Sequence, residues 1–184
     1  MSSPDKDIAG KDPARAWAVR GKESFDKGDY DQAIKDYSEA IRLKPDDASA
    51  WHNRGVAYDT KGEYDQAIRD YSEAIRLKPD YVSAWNLRGY AYLEKGEYDQ
   101  AIRDCSEAIG LKPDYASAWR NRGYACAEKG ECDQAIRDYS EAIRLKPDDS
   151  VNWESRGRAH RRLGNTAEAD ADLKKAKELR EEAS

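Results

Sequence analysis

Side chains suited to metal binding and nucleophilic catalysis are scarce in this chain of 184 residues, which has two histidines and three cysteines. The cysteines do not form a C-x-x-C motif, and His52 and His160 lie far from them in the sequence. The glycines form neither G-x-G-x-x-G nor G-x-x-x-x-G-K, the motifs that cradle phosphates. These shortages argue against an enzyme, a metal centre or a bound cofactor.

Long apolar runs are also lacking. No stretch of 18 apolar residues occurs, so no membrane span is expected. The start of the chain, 1–13, is polar and has no apolar core of a signal peptide, which favours a cytoplasmic location. A net charge of −5 disfavours nucleic acids and anionic membranes as the main partners.

The chain does have a period of 34 residues. Tryptophan marks it at five evenly spaced sites: Trp17, Trp51, Trp85, Trp119 and Trp153. Self-similarity at such a period indicates a solenoid of stacked units. Repeat positions are numbered 1–34 from Ala14, Ala48, Val82, Ala116 and Ser150. The predicted organisation is a polar tail, 1–13, followed by a repeat domain, 14–183, with repeats 14–47, 48–81, 82–115, 116–149 and 150–183.

Each repeat is predicted to contain two helices, so the fold class is all-α. The first helix should end at the glycine of a Lys-Gly pair, a favoured residue after a helix: Gly28, Gly62, Gly96 or Gly130. The second should begin near Asp31, Asp65, Asp99 or Asp133 and end at Leu-Lys-Pro. Its apolar residues form one amphipathic stripe.

Comparing the repeats with one another separates a fixed face from a varied one. The second and third repeats differ at eight of 34 positions, six of them in the first half. Positions 5, 9, 12 and 13 vary again between the second and fourth repeats and lie on one side of the first helix. Cys105, Cys126 and Cys132 replace tyrosines of sister repeats, and we expect them to be buried apolar substitutes rather than metal ligands.

The fixed positions carry a resemblance. Trp at 4, Gly at 8, Tyr at 11, Ala at 20, Tyr at 24, Ala at 27 and Pro at 32 resemble the tetratricopeptide repeat over 14–183. The resemblance implies a right-handed α-solenoid, or superhelix, whose concave groove is lined by the first helices. It also implies a non-catalytic scaffold that binds a protein or peptide partner through positions 2, 5, 6, 9, 12 and 13.

Carried over to this chain, those positions give a candidate peptide-binding groove. Its residues are Lys22, His52, Asn53, Val56, Asn86, Tyr90, Leu93, Arg120, Asn121, Tyr124, Arg158, Arg161 and Arg162. The amides could hydrogen-bond a peptide backbone, and the tyrosines and Leu93 could serve as apolar anchors. We expect acidic residues of the partner near Arg158, Arg161 and Arg162. The two-carboxylate clamp of chaperone-binding relatives is not expected, because only Asn53 matches it.

One regular departure from the family is arginine at position 7, usually leucine. Position 23 is aspartate in every repeat, so we expect an Arg–Asp pair joining the two helices of each repeat. The alternative function is self-assembly into a homo-oligomer, since near-identical repeats can exchange between molecules. Polar residues at the ends of the array, Glu23, Asp170 and Lys177, count against end-to-end filaments.

Overall fold

A computed structural model describes residues 12–183, so most of the tail 1–13 lies outside the described residues. Within this range the chain forms ten α-helices and no strand. They are α1 (Pro13–Asp26), α2 (Tyr30–Leu43), α3 (Ala48–Thr60), α4 (Tyr64–Leu77), α5 (Val82–Glu94), α6 (Tyr98–Leu111), α7 (Ala116–Glu128), α8 (Cys132–Leu145), α9 (Ser150–Arg162) and α10 (Thr166–Glu182). The all-α expectation is confirmed.

Local signals explain where these helices begin and end. The Asp12 carboxylate accepts a hydrogen bond from the backbone N–H of Arg15 at 3.1 Å, and Pro13 occupies the first turn of α1. The glycines that follow the first helices have positive φ between 74° and 83°, which only glycine adopts without strain. They are Gly28, Gly62, Gly96, Gly130 and Gly164. The first four were predicted; Gly164 was not, because the last repeat lacks the Lys-Gly pair.

The chain divides into two compact units, of which the first ends at Ala91 and the second begins at Tyr92. In the first unit α1 packs on α2, α2 on α3, and α3 on α4. In the second unit α6 packs on α7, α7 on α8, α8 on α9, and α9 on α10. Contacts of α1 with α3, and of α7 with α9, bring the first helices of successive repeats side by side.

Small residues fill the core between the helices. In the first unit Ala33, Tyr37 and Ala57 pack together, and in the second Cys126 packs with Tyr139. All three cysteines are free and buried, as predicted. Burial raises the pKa of Cys126 to about 11, so its thiol is uncharged at neutral pH. The predicted end residues Glu23, Asp170 and Lys177 are exposed.

The Arg–Asp pairs predicted from positions 7 and 23 are present. Both guanidinium nitrogens of Arg122 that face Asp138 lie 2.8 Å from its carboxylate oxygens, and Asp138 is fully buried. Equivalent pairs join Arg20 to Asp36, Arg54 to Asp70, and Arg156 to Asp172. The carboxylate thus neutralises a cation that the family pattern does not place there.

The same arginine also reaches the preceding repeat. Arg122 Nη1 donates to Ser106 Oγ at 3.1 Å, and its guanidinium lies 4.9 Å from the ring of Trp119. The indole N–H of Trp119 donates to the Pro113 carbonyl, also in the preceding repeat, at 2.8 Å. Matching serine bonds are made by Arg54, Arg88 and Arg156, and matching proline bonds by Trp51, Trp85 and Trp153. Neighbouring repeats are therefore joined by specific polar contacts as well as by apolar packing.

Candidate functional site

The first helices carry the predicted groove residues, and we call positions 2, 5, 6, 9, 12 and 13 of these helices the first-helix face. In the first unit this face contains a depression of about 280 Å³ between α1 and α3. Its lining residues are Lys22, Phe25, Asp26, Tyr37, Asn53 and Val56. Five of the six belong to the face, at positions 9, 12 and 13 of the first repeat and 6 and 9 of the second. Tyr37 comes from α2, where it packs in the core of the first unit.

The polar edge of the depression is neutral as a whole. Lys22 Nζ lies 2.6 Å from Asp26 Oδ2, one helical turn further along α1. The remaining wall is apolar or amide: Phe25 packs against Tyr30, and Val56 lies one turn from Asn53. Such a surface suits an apolar side chain next to a hydrogen-bonding backbone.

Position 5 connects one repeat to the next. His52 has Nε2 at 3.0 Å from Ser83 Oγ and Nδ1 at 3.3 Å from Asn53 Oδ1, and its ring stacks on Tyr81. Burial lowers the pKa of His52, so the neutral imidazole is favoured here. In the second unit Arg120 Nη1 donates to the carboxylate of Asp149 at 3.1 Å, just before α9. His52 thus contacts the following repeat, and Arg120 binds the residue that caps the first helix of the following repeat.

The three arginines of α9 that were predicted to line the groove all have carboxylate partners. Arg158 pairs with Glu154, and Arg161 Nη2 lies 2.8 Å from Asp170 Oδ1. Arg162 crosses to α7, where it donates to the Ala127 carbonyl at 2.5 Å and to Glu128 at 3.1 Å. The positive charges that were expected to attract acidic residues of the partner are therefore paired with carboxylates of the chain itself.

Comparison with known proteins identifies the family. A family model described as TPR repeat matches residues 21–61, and one described as Tetratricopeptide repeat matches residues 52–116, 87–150 and 128–183. The chain belongs to the tetratricopeptide repeat (TPR) family. No curated protein matches the sequence.

Solved structures of TPR proteins share the fold. A crystal structure of MamA is 29% identical and covers 89% of this chain and 95% of that one, with a TM-score of 0.83. MamA from Desulfovibrio magneticus RS-1 has a TM-score of 0.87 at 20% identity, covering 95% and 98% of the two chains. YrrB, described as a TPR protein with an unusual peptide-binding site, has a TM-score of 0.77 at 19% identity, with 92% and 88% covered.

The TPR contact positions differ in how accessible they are. Tyr90 and Tyr124, both at position 9, are 37% and 48% exposed. Leu93, expected as an apolar anchor, is only 6% exposed, because it packs against the small Ala101 and Ala125. The amides expected to contact a peptide backbone, Asn86 and Asn121, are also buried. The depression brings together Lys22, Asn53 and Val56, and the two tyrosines and the three predicted arginines of α9 are also accessible.

Neither a metal-binding cluster nor a membrane-spanning helix occurs in the described part of the TPR array. Within residues 12–183 no group of three or more His, Cys, Asp or Glu side chains could hold a metal ion. In the same range no helix is long and apolar enough to cross a bilayer. What sequence analysis missed is the set of partners that hold position 5, such as Ser83 and Asp149. Ser83 is at position 2 and Asp149 at position 34 of their repeats, and helical periodicity alone does not indicate that these positions meet position 5.

Proposed function

We propose that this TPR protein is a non-catalytic interaction scaffold that binds a peptide segment of a partner protein on its first-helix face. The observation that carries the proposal is the depression between α1 and α3, which is lined almost entirely by the family's contact positions. The apolar side chains, the Asn53 amide and the Lys22–Asp26 ion pair can bind a ligand, and none of them is arranged for catalysis. Family membership supports the interaction role.

Each unit also has an exposed tyrosine at position 9 of a first helix. Tyr90 and Tyr124 are large side chains on the varied side of their helices, where unconstrained surface would favour lysine or glutamate. A tyrosine contributes contact area with little loss of conformational entropy, which is why it is enriched at interfaces. Position 9 is therefore the position at which we expect each unit to contact a peptide.

Capture from lysate with matched variants tests this proposal. The double variant Tyr90→Ala/Tyr124→Ala removes exposed side chains of the first-helix face, and Leu43→Ala/Leu111→Ala removes exposed side chains of the second helices as a control. Circular dichroism would confirm that both variants keep the helical content of the wild type. Loss of a partner by the tyrosine variant alone would support the proposed face. Equal capture by the wild type and the tyrosine variant would contradict it.

Self-assembly is the second candidate function. Leu43 and Leu111 end their second helices 42% and 45% exposed, the kind of side chain that a second copy could cover. Sedimentation equilibrium over a wide concentration range separates the two functions. A mass that rises with concentration and returns to the monomer in Leu43→Ala/Leu111→Ala would favour assembly. A monomer throughout would remove this candidate.

A further inference from the structure

We propose that the bound segment is uncharged and places one bulky apolar side chain in the depression between α1 and α3. The inference rests on the proposed function and adds the chemistry of the partner and the part of the array that holds it. It replaces the expectation that acidic residues of the partner dock near Arg158, Arg161 and Arg162.

The depression has the size and the lining for a side chain. Its volume of about 280 Å³ lies just below the range of pockets for small molecules, which is about 300–1,000 Å³. Phe25 and Val56 form apolar walls, and the Asn53 amide can bond to a peptide backbone beside the inserted group. Lys22 and Asp26 are already paired with each other, so the edge presents no net charge to a ligand.

The corresponding place between α7 and α9 is different. There the guanidinium of Arg162 lies against Ala127 and Glu128, positions 12 and 13 of the fourth repeat. These are the positions that Phe25 and Asp26 hold in the first repeat, where they line the depression. Position 13 of the second repeat is Thr60, whose hydroxyl donates to a carbonyl of its own helix. The second unit thus covers with its own arginine the surface that the first unit leaves open.

The arginines of α9 offer little additional affinity to an acidic ligand. Arg158 and Arg161 each have a carboxylate partner, so a ligand carboxylate would have to replace one exposed ion pair by another. Exchange of that kind changes a dissociation constant by less than about fivefold. Burial of a leucine-sized side chain changes it by about 10- to 100-fold. The apolar contact therefore dominates the choice of partner.

Selection from a random dodecapeptide phage library tests the inference on the full chain. Fluorescence anisotropy would then give the dissociation constants of the enriched peptides for the wild type and three variants. Val56→Glu places a charge in the depression. Arg158→Ala/Arg161→Ala removes two of the three exposed arginines of α9, and Leu111→Glu is a control on a second helix. Methyl NMR of Val56 in the wild type reports contact with the depression without relying on a variant that folds.

We expect enriched peptides that carry an aromatic or aliphatic anchor and no net charge. Their affinity should fall by at least about tenfold in Val56→Glu. The double arginine variant and Leu111→Glu should bind within about twofold of the wild type, as should the wild type between about 50 mM and 0.5 M salt. The Val56 methyl resonances should shift on binding.

Two kinds of failure can be told apart. Acidic peptides that bind the first-helix face and weaken at least about tenfold in the arginine variant or at high salt would overturn the uncharged partner but keep the proposed function. Peptides that leave the Val56 resonances unchanged and are lost in Leu111→Glu would overturn both, as would a selection that enriches nothing.

Discussion

Asn152 is the residue whose replacement should stabilise the protein most clearly. It occupies position 3 of the fifth repeat, where the other repeats have Ala16, Ala50, Ala84 and Ala118. Asn152 is 1% exposed, and its Oδ1 accepts no hydrogen bond within the described residues. In the second repeat the same position packs on Ala40 and Ile41 of the preceding helix. The register therefore places the Asn152 amide against the apolar side of α8.

The magnitude follows from three contributions. Leaving a buried polar atom without a partner costs about 1–3 kcal/mol, which Asn152→Ala would recover. Alanine also gains roughly 0.5 kcal/mol of helix propensity in the first turn of α9. Against this, a void of roughly 25 Å³ would cost about 0.6 kcal/mol at about 24 cal/mol per Å³. We therefore expect the free energy of unfolding to rise by about 1–3 kcal/mol.

Urea denaturation measures this change, and amide hydrogen exchange in α9 locates it, because an array can open from its end. Ala118→Asn is the matched control: it introduces the same side chain at the same repeat position, where the wild-type alanine is fully buried. It should lower stability by at least about 1 kcal/mol. An Asn152→Ala protein no more stable than the wild type, with unchanged exchange in α9, would refute the reasoning.

Three further predictions concern packing, ion pairs and pH. Gly55→Ala should lower the free energy of unfolding by about 1–3 kcal/mol, because its Cβ would lie 2.8 Å from a buried tyrosine ring. Gly110→Ala, with nothing within 4 Å, should raise it by about 0.5–1 kcal/mol in the same urea assay. Asp138→Asn should cost about 3 kcal/mol by leaving a half-buried guanidinium without its counter-charge, whereas Glu141→Gln on the surface should cost under about 0.5 kcal/mol; equal losses in thermal melts would contradict this. Burial lowers the pKa of His52 in the folded protein, so the folded state favours the neutral ring. The stability that this provides is present above the pKa of histidine in the unfolded chain, about 6.5, and is lost as the pH falls below it. Stability measured from about pH 7 to 5 should therefore fall less in His52→Gln than in the wild type.

Local chemistry made much of the fold predictable. A glycine after a helix, as at Gly28, determines where the helix ends through its own backbone freedom, so the sequence suffices. The pair between Arg54 and Asp70 was also predictable, because an arginine on a buried stripe requires a counter-charge and position 23 is aspartate in every repeat. Both inferences concern residues within a single repeat.

The candidate site was less predictable because accessibility depends on the neighbouring repeats. Leu93 lies on the predicted side of its helix, yet it is buried, because the small side chains of Ala101 and Ala125 leave space for it in the core. The contact of His52 with Ser83 depends on how two repeats are spaced, which helical periodicity does not specify. Position on a helix could thus be predicted, and exposure could not.

The bonds between repeats have a consequence for how such a chain can change in length. Each interior repeat supplies one tryptophan and one arginine toward the repeat before it, and one proline carbonyl and one serine toward the repeat after it. A duplicated segment of 34 residues would bring a complete set of these groups and meet a complete set on either side. Gain or loss of whole repeats should therefore leave every junction with its bonding groups, whereas an insertion of a few residues within a helix should move those groups out of register.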